Sequence, residues 1–200
     1  ATTSYTATSS GTPILARPFF NLMAQQTGGG TLPAESSQLV AFPNRIGGTI
    51  TVDAVTQFQG AAARLRYLLC CSESCLPGMF GFGPSMGGYR MELTGGVRAL
   101  RLDDSLLITE NLSVVPTGTI NMFDQFQTEN EFVGTEIGML VQTRRGRFSL
   151  DMTSRSSLGN TRGTVDINGQ TTLNNGTAVT SNGGLLALNS NIGHYQQDQF

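Results

Sequence analysis

The sequence predicts an all-β protein built from antiparallel strands. In four segments apolar and polar residues alternate with a period of two, which is the period of side chains on opposite faces of a strand. Glycine contributes 25 of the 200 residues. Charged residues make up only 13% of the chain, against roughly 25% in ordinary soluble domains. This composition is typical of a protein rich in strands and turns with few surface charges.

The first two predicted strands are residues 61–69 and 89–101, and each places arginine opposite an apolar row. In the first strand, Leu65 and Tyr67 lie on the apolar face. The charged residues on the opposite faces of the two strands are Arg64, Arg66, Arg90, Glu92 and Arg98. A helix would scatter these residues around its axis, so the alternation favours strands.

Two further strands, residues 131–142 and 147–155, repeat the pattern. Their polar faces carry Glu136, Arg147, Asp151 and Arg155. Weaker alternation predicts two more strands near residues 47–58 and 184–195. The sequence therefore predicts four strong strands and two weak ones.

The connections between the strands differ in length. Residues 143–146, Thr-Arg-Arg-Gly, suit a tight hairpin. Long outer loops are predicted at about 103–130 and 156–184, which are rich in Asn, Gly and Thr. Within the second loop, Asn168-Gly169 predicts a type I′ hairpin turn.

Two environments suit these faces. A soluble antiparallel sheet packs its apolar face on a core and leaves its charged face in water. In a membrane barrel the apolar face meets lipid, the charged face lines the interior, and short turns and long loops lie at opposite ends. No stretch approaches the roughly 18 consecutive apolar residues of a transmembrane helix. A membrane protein of this sequence would therefore have to cross as strands.

In the barrel interpretation, the nine charged residues named above face the interior, and two roles follow. If arginines and carboxylates pair across strands, they fill the interior and the protein is a structural or anchoring barrel. If the excess of arginine faces water, six arginines against three carboxylates favour anions in a pore. The sequence predicts which residues share a face of a strand, but it does not predict which arginines pair with which carboxylates.

Three cysteines, Cys70, Cys71 and Cys75, follow the first predicted strand. By alternation of strand direction they lie at the same end as the tight turn, which in an outer-membrane barrel is the periplasmic end, where disulfides form. Either a Cys71–Cys75 or a Cys70–Cys75 disulfide would close this connection. The remaining cysteine is then free or joined to another chain. A zinc site would need a fourth ligand, and the single histidine, His194, is predicted at the opposite end.

Several function classes are excluded by composition and motifs. All 12 basic residues are arginine, the net charge is −2, and the only basic cluster is formed by Arg144, Arg145 and Arg147, which argues against nucleic-acid binding. The chain has no nucleophile, metal-ligand or phosphate-binding motif. We therefore expect no enzymatic activity, no cofactor, no metal site and no identifiable small-molecule substrate.

Six blocks carry a resemblance to a known family. These blocks, which cover most of the chain in order, are GTPILARPFFN (11–21), LVAFPNRIGGTITV (39–52), YRMELTGGVRALRLDDSLLITENL (89–112), FDQFQTENEFVGTEIG (123–138), SSLGNTRGTVDING (156–169) and GGLLALNSNIGHYQQDQF (183–200). In them the chain resembles the outer-membrane β-barrel proteins of planctomycetes called the beta barrel protein seven group.

This resemblance implies an antiparallel up-and-down barrel of the outer-membrane type, located in the bacterial outer membrane with lipid as its partner, and no catalytic residues to carry over. The family pattern is longer at both ends, and a closed barrel needs about eight strands. We therefore expect residues 1–200 to be one β-barrel domain that covers only part of the barrel, unless other copies of the chain share it. The alternative is a soluble extracellular β-sandwich, a surface or adhesive protein that could self-assemble.

Overall fold

The computed structural model describes residues 1–21, 33–71, 89–145 and 147–200. The described chain is all-β, as predicted. Its strands are β1 (Thr2–Ser9), β2 (Leu15–Asn21), β3 (Ala34–Ala41), β4 (Ile46–Cys71), β5 (Tyr89–Val114), β6 (Thr119–Arg145), β7 (Phe148–Asn174), β8 (Ala178–Asn182) and β9 (Gly193–Gln199). Within these ranges no helix is long and apolar enough to cross a bilayer.

The main sheet has the strand order β1-β4-β5-β6-β7-β8, and β9 also pairs with β7. Strands β2 and β3 form a separate two-stranded antiparallel sheet, in which Arg17 stands opposite Gln38. Neighbouring long strands follow one another in sequence, which is the order of an up-and-down sheet. In the described part of the chain this sheet is open, with β1 at one edge and β8 and β9 at the other.

Threonine pairs reinforce the contact between β1 and β4. The two strands are antiparallel, with Thr6 opposite Thr51 and Thr8 opposite Thr49. The hydroxyl oxygens of these pairs are 3.3 Å and 2.9 Å apart, within hydrogen-bond distance. Such cross-strand pairs stabilise a sheet by about 0.2–1 kcal/mol each.

The chain forms two compact units, and β4 to β7 contribute residues to both. Unit 1 consists of residues 1–57, 103–128 and 164–195, and unit 2 consists of residues 58–102, 129–163 and 196–200. The prediction of one domain over residues 1–200 stays a prediction.

Unit 1 has an ordinary apolar core. Val40 of β3, Ile50 of β4, and Ile108 and Leu112 of β5 are buried and pack together. Residues of β1, β2 and β6 pack around them, namely Ala7, Leu15 and Ile120. Gly48 permits this packing, because a Cβ there would lie 2.6 Å from Leu112 Cδ2. The β2–β3 pair is therefore held on one face of the sheet.

Unit 2 depends on close contacts at strand glycines. A Cβ on Gly134 of β6 would collide with the carbonyl oxygen of Leu158 in β7. A Cβ on Gly159 would meet the backbone of Val133 and Gly134, and one on Gly96 would meet the carbonyl of Ala63. Glycine within a strand marks a bend or a close approach of two backbones. We infer that these positions allow adjacent strands to curve.

The first predicted loop, residues 103–130, is mostly strand in the structure. Residues 103–130 are strand except for the short connection 115–118, where the Val114 amide donates a hydrogen bond to the Gly118 carbonyl. The alternation of Leu106, Ile108 and Leu112 continues through Glu110. The charge did not end the strand because Glu110 has an ion-pair partner, Arg17, on a distant segment.

The second predicted loop, 156–184, is also mostly strand. Strand β7 continues to Asn174 and β8 returns over Ala178–Asn182, so the turn lies at 175–177 and not at Asn168-Gly169. Gly176 has φ +92 and open space around it, as a turn glycine does. Gly169 serves close packing instead, because a Cβ there would lie 2.6 Å from Ala187 Cβ. The weak candidate at 184–195 is strand only from Gly193 onward.

We expect Gly134→Ala to destabilise the protein by about 1–3 kcal/mol, because the new methyl group would overlap the β7 backbone. The measurement is the free energy of unfolding in urea. Gly95→Ala is the matched control, since a Cβ on Gly95 meets only the Glu136 carbonyl oxygen, 4.0 Å away. Equal stability of the two variants would contradict the close approach of β6 and β7.

Candidate functional site

The strands of unit 2 expose an apolar row on one face and carry buried carboxylates on the other. Most large apolar side chains of the first face are exposed, with Leu65 and Phe148 both 84% accessible, although Met91 in the same row is 4% accessible. On the other face Glu136 is only 3% accessible. We call the nine charged residues of that second face the polar face. Its members are Arg64, Arg66, Arg90, Glu92, Arg98, Glu136, Arg147, Asp151 and Arg155.

Two arginines share the Glu136 carboxylate. Arg64 of β4 donates from Nε to Oε1 and from Nη2 to Oε2, the latter at 3.2 Å. Arg98 of β5 approaches Oε2 with Nη1 at 3.4 Å. The strand order β4-β5-β6 brings these three side chains together, although they are 38 and 72 positions apart in sequence. Arg64 therefore binds the Glu136 carboxylate in a bidentate arrangement, which gives strong charge-assisted hydrogen bonds.

A second carboxylate, Glu92 of β5, is also shared by two arginines. Arg90, two positions away on the same face, forms an ion pair with Oε1. Arg66 of β4 lies 3.9 Å from Oε2. That oxygen is buried and has no hydrogen bond among the described residues. This cluster is therefore looser than the one around Glu136.

Of the remaining polar-face residues, Asp151 and Arg155 lie on β7, and Arg147 directly precedes it. Arg147, Asp151 and Arg155 are exposed, and the described part of the chain gives none of them an ion-pair partner. A Cβ on Gly138 of β6 would lie 2.8 Å from Arg155 Cγ, so this arginine packs across the glycine. The structure thus brings six of the nine predicted residues into two clusters and leaves three outside them.

The accessibility of the paired groups is uneven. The Glu136 and Glu92 side chains are 1% and 6% accessible, whereas the four arginine side chains are between 29% and 61% accessible. Guanidinium groups therefore cover the carboxylates and present their own surface outward. Each cluster has two positive charges and one negative charge.

Unit 1 contains a different charged cluster that the sequence did not predict. Arg17 of β2 donates from Nη1 to Glu110 Oε1 of β5 at 2.9 Å, and its Nη2 lies 2.8 Å from Asp124 Oδ2 of β6. The second contact is an ion pair without the angle of a hydrogen bond. Glu110 and Asp124 are both 0% accessible. These contacts fasten the β2–β3 pair to the main sheet.

The Asp124 carboxylate also receives two backbone hydrogen bonds. The amides of Leu186 and Ala187 donate to Oδ1 at 2.9 and 2.8 Å. A Cβ on Gly184 would collide with the same oxygen, so only glycine permits this approach. Asp124 therefore joins β2, β6 and the segment that follows β8.

A sequence signal for this cluster exists. Glu110 occupies the apolar row of Ile108 and Leu112, and Asp124 follows Met122 with the same spacing. A carboxylate at an inward position of an alternating strand needs a buried cation, because burial of an unpaired charge is costly. Arg17, within the otherwise apolar run ILARPFF, is the corresponding cation.

The cysteine prediction is untested. Cys75 lies outside the described residues, and of Cys70 and Cys71 only the backbone at the end of β4 is described. Among the described residues, no three His, Cys, Asp or Glu side chains form a group that could hold a metal ion.

A comparison with protein-family models identifies a family that this chain matches. The family model described as "Putative beta barrel porin-7 (BBP7)" matches residues 1–200. No curated protein and no solved structure matches the chain. This match agrees with the resemblance inferred from the six sequence blocks, and with the all-β antiparallel architecture.

We expect Arg17→Met to reduce the free energy of unfolding by about 3–5 kcal/mol, because it leaves two buried carboxylates without their cation. Urea denaturation measures the effect, and Arg45→Met, at an exposed arginine of the same unit, is the control. Adding Glu110→Gln and Asp124→Asn to Arg17→Met should restore part of the loss, since amides carry no charge. A loss of similar size in both single variants would contradict the structural role of the cluster.

Proposed function

We propose a function that follows from the family to which this chain belongs, the beta barrel porin-7 (BBP7) family. A porin family implies a non-enzymatic role. We propose that the chain forms part of a β-barrel in the bacterial outer membrane, in contact with lipid, and that its polar face lines a passive pore. The nine polar-face residues would then be the interior residues.

The observation that carries this proposal is the reversed polarity of unit 2. Leu65, Val133, Phe148 and Leu158 are exposed, while Glu92 and Glu136 are buried. Contiguous exposed apolar surface is uncommon in soluble monomers and marks contact with a membrane or a partner. In an outer-membrane barrel the alternation places apolar residues against lipid and polar residues in the interior.

The strand lengths in unit 2 are sufficient for crossing. Unit 2 contains 58–71 of β4, 89–102 of β5, 129–145 of β6 and 148–163 of β7. A tilted strand crosses the hydrocarbon with about 9–11 residues, so every one of these segments is long enough. Unit 1 has a conventional apolar core and a buried ion cluster, and we therefore assign the crossing to unit 2.

A second role, a structural or anchoring barrel, would require the charged interior to be filled by ion pairs. The clusters around Glu92 and Glu136 are such pairs. Their arginines are partly accessible, however, and Arg147 and Arg155 add positive charge without a described partner. This surplus favours contact with water and therefore the pore.

The competing class is a soluble extracellular β-sandwich that serves as a surface or adhesive protein. Its strands would turn charged side chains to water and apolar ones to a core. The burial of Glu136 and the exposure of Leu65 in unit 2 have the opposite sense. Self-association could cover the apolar face, so the two classes need a direct experiment.

We expect the purified protein to require detergent for solubility and to migrate differently on gels before and after boiling, as closed barrels do because heat is needed to unfold them. Cell fractionation should place it with the outer membrane. A protein that stays monomeric in plain buffer, with no heat-dependent change in mobility, would exclude the membrane proposal.

We expect Leu65→Arg to cost about 2–4 kcal/mol of folding free energy in lipid vesicles, because it places a charge on the lipid-facing side of β4. Ala62→Arg introduces the same residue on the side of β4 that carries Arg64, and should cost much less. The measurement is urea unfolding of the reconstituted protein. If the apolar face of β4 were open to water, both arginines would be hydrated, and similar stability of the two variants would therefore count against the lipid-facing assignment.

A further inference from the structure

We propose that the two clusters of unit 2, Arg64–Glu136–Arg98 and Arg66–Glu92–Arg90, form a binding surface for small oxyanions and make the pore anion-selective. This inference rests on the proposed pore and adds its substrate class. The oxyanions meant are carboxylate, phosphate and sulfate groups, which share planar or tetrahedral arrays of acceptor oxygens.

Each cluster carries a net positive charge. Glu136 pairs with both Arg64 and Arg98, and Glu92 pairs with both Arg66 and Arg90. One carboxylate neutralises one guanidinium group, so each cluster keeps one positive charge. Full pairing of the described ions therefore leaves the surface positive.

The guanidinium groups of both clusters are more accessible to a solute than the carboxylates. The two carboxylates are 1% and 6% accessible beneath guanidinium groups that are several times more exposed. An approaching ion therefore meets N–H donors before it meets carboxylate oxygens. The buried carboxylates orient the arginines and contribute little negative surface.

Arg64 and Arg98 have N–H donors that are not used in pairing with Glu136. A guanidinium group carries five N–H donors in a rigid plane. Arg98 directs Nη1 toward Glu136, and Arg64 uses Nε and one Nη2 hydrogen. The other N–H groups of this pair have no partner among the described residues. Two adjacent planar groups with unused donors match the bidentate recognition of oxyanions.

The test is the reversal potential of the reconstituted protein in planar bilayers under a potassium chloride gradient. We expect the wild type to prefer chloride over potassium. Arg90→Gln and Arg98→Gln each leave a neutral one-to-one pair. Each should lower the anion-to-cation permeability ratio about threefold, an estimate from the Coulomb interaction across water with partial screening by salt.

Arg162→Gln is the matched control. Arg162 is an exposed arginine of β7 in unit 2, and its Nη2 donates a hydrogen bond to Gln196 at 2.9 Å. It occupies an even position, whereas Arg147, Asp151 and Arg155 occupy odd ones, so alternation places it on the other face. The same loss of charge there should leave the permeability ratio unchanged. An equal effect of Arg162→Gln and Arg98→Gln would overturn the assignment to the clusters.

A second measurement separates oxyanion binding from simple attraction. Inorganic sulfate should raise the melting temperature of the detergent-folded wild type more than chloride at equal ionic strength. Arg98→Lys keeps the charge but loses the planar donors. It should therefore retain most of the chloride preference and lose most of the sulfate effect. An unchanged sulfate effect in Arg98→Lys would overturn the oxyanion site.

The possible failures are distinguishable. Channels that conduct without anion preference would leave the pore standing and overturn this inference. A folded barrel that never conducts would overturn the pore, and the sulfate-dependent melting temperature would then decide whether the clusters bind oxyanions. Absence of both sulfate stabilisation and chloride preference would leave the clusters with a purely structural role.

Discussion

The shared ion pairs of Glu136 are the interaction on which the arrangement of unit 2 depends. A β-strand turns successive side chains to opposite faces, so polar residues that alternate with apolar ones all lie on the face opposite the apolar row. Buried carboxylates on that side are tolerable only with cations and hydrogen bonds beside them. Arg64 and Arg98 from two neighbouring strands supply both.

The ion clusters of the two units have opposite ratios of guanidinium groups to carboxylates. In unit 1 one guanidinium group, that of Arg17, serves the two carboxylates of Glu110 and Asp124, and backbone amides satisfy part of the negative excess. In the two unit 2 clusters around Glu92 and Glu136, two guanidinium groups serve each carboxylate, and the positive excess is accessible. Backbone N–H groups are donors, so a sealed cluster can accommodate surplus oxygen atoms more easily than surplus cations. A cationic surplus needs contact with water or anions.

Much of this fold could be predicted from local alternation, and the rest could not. Residues 61–69, 89–101, 131–142 and 148–155 are strand, as predicted, because apolar and polar residues alternate along them. Residues 103–130, which form parts of β5 and β6, were predicted as a long loop because they are rich in Asn, Gly and Thr. Arg17, the ion partner of Glu110, is 93 positions away, and no local pattern reveals such a pairing. The ion partners within the polar face required the strand order for the same reason.

The use of arginine alone, without lysine, has a consequence for the hydration of the polar face. A guanidinium group is more weakly hydrated than the ammonium group of lysine. The polar face therefore gives up its bound water to a passing solute more easily than a lysine-lined surface would.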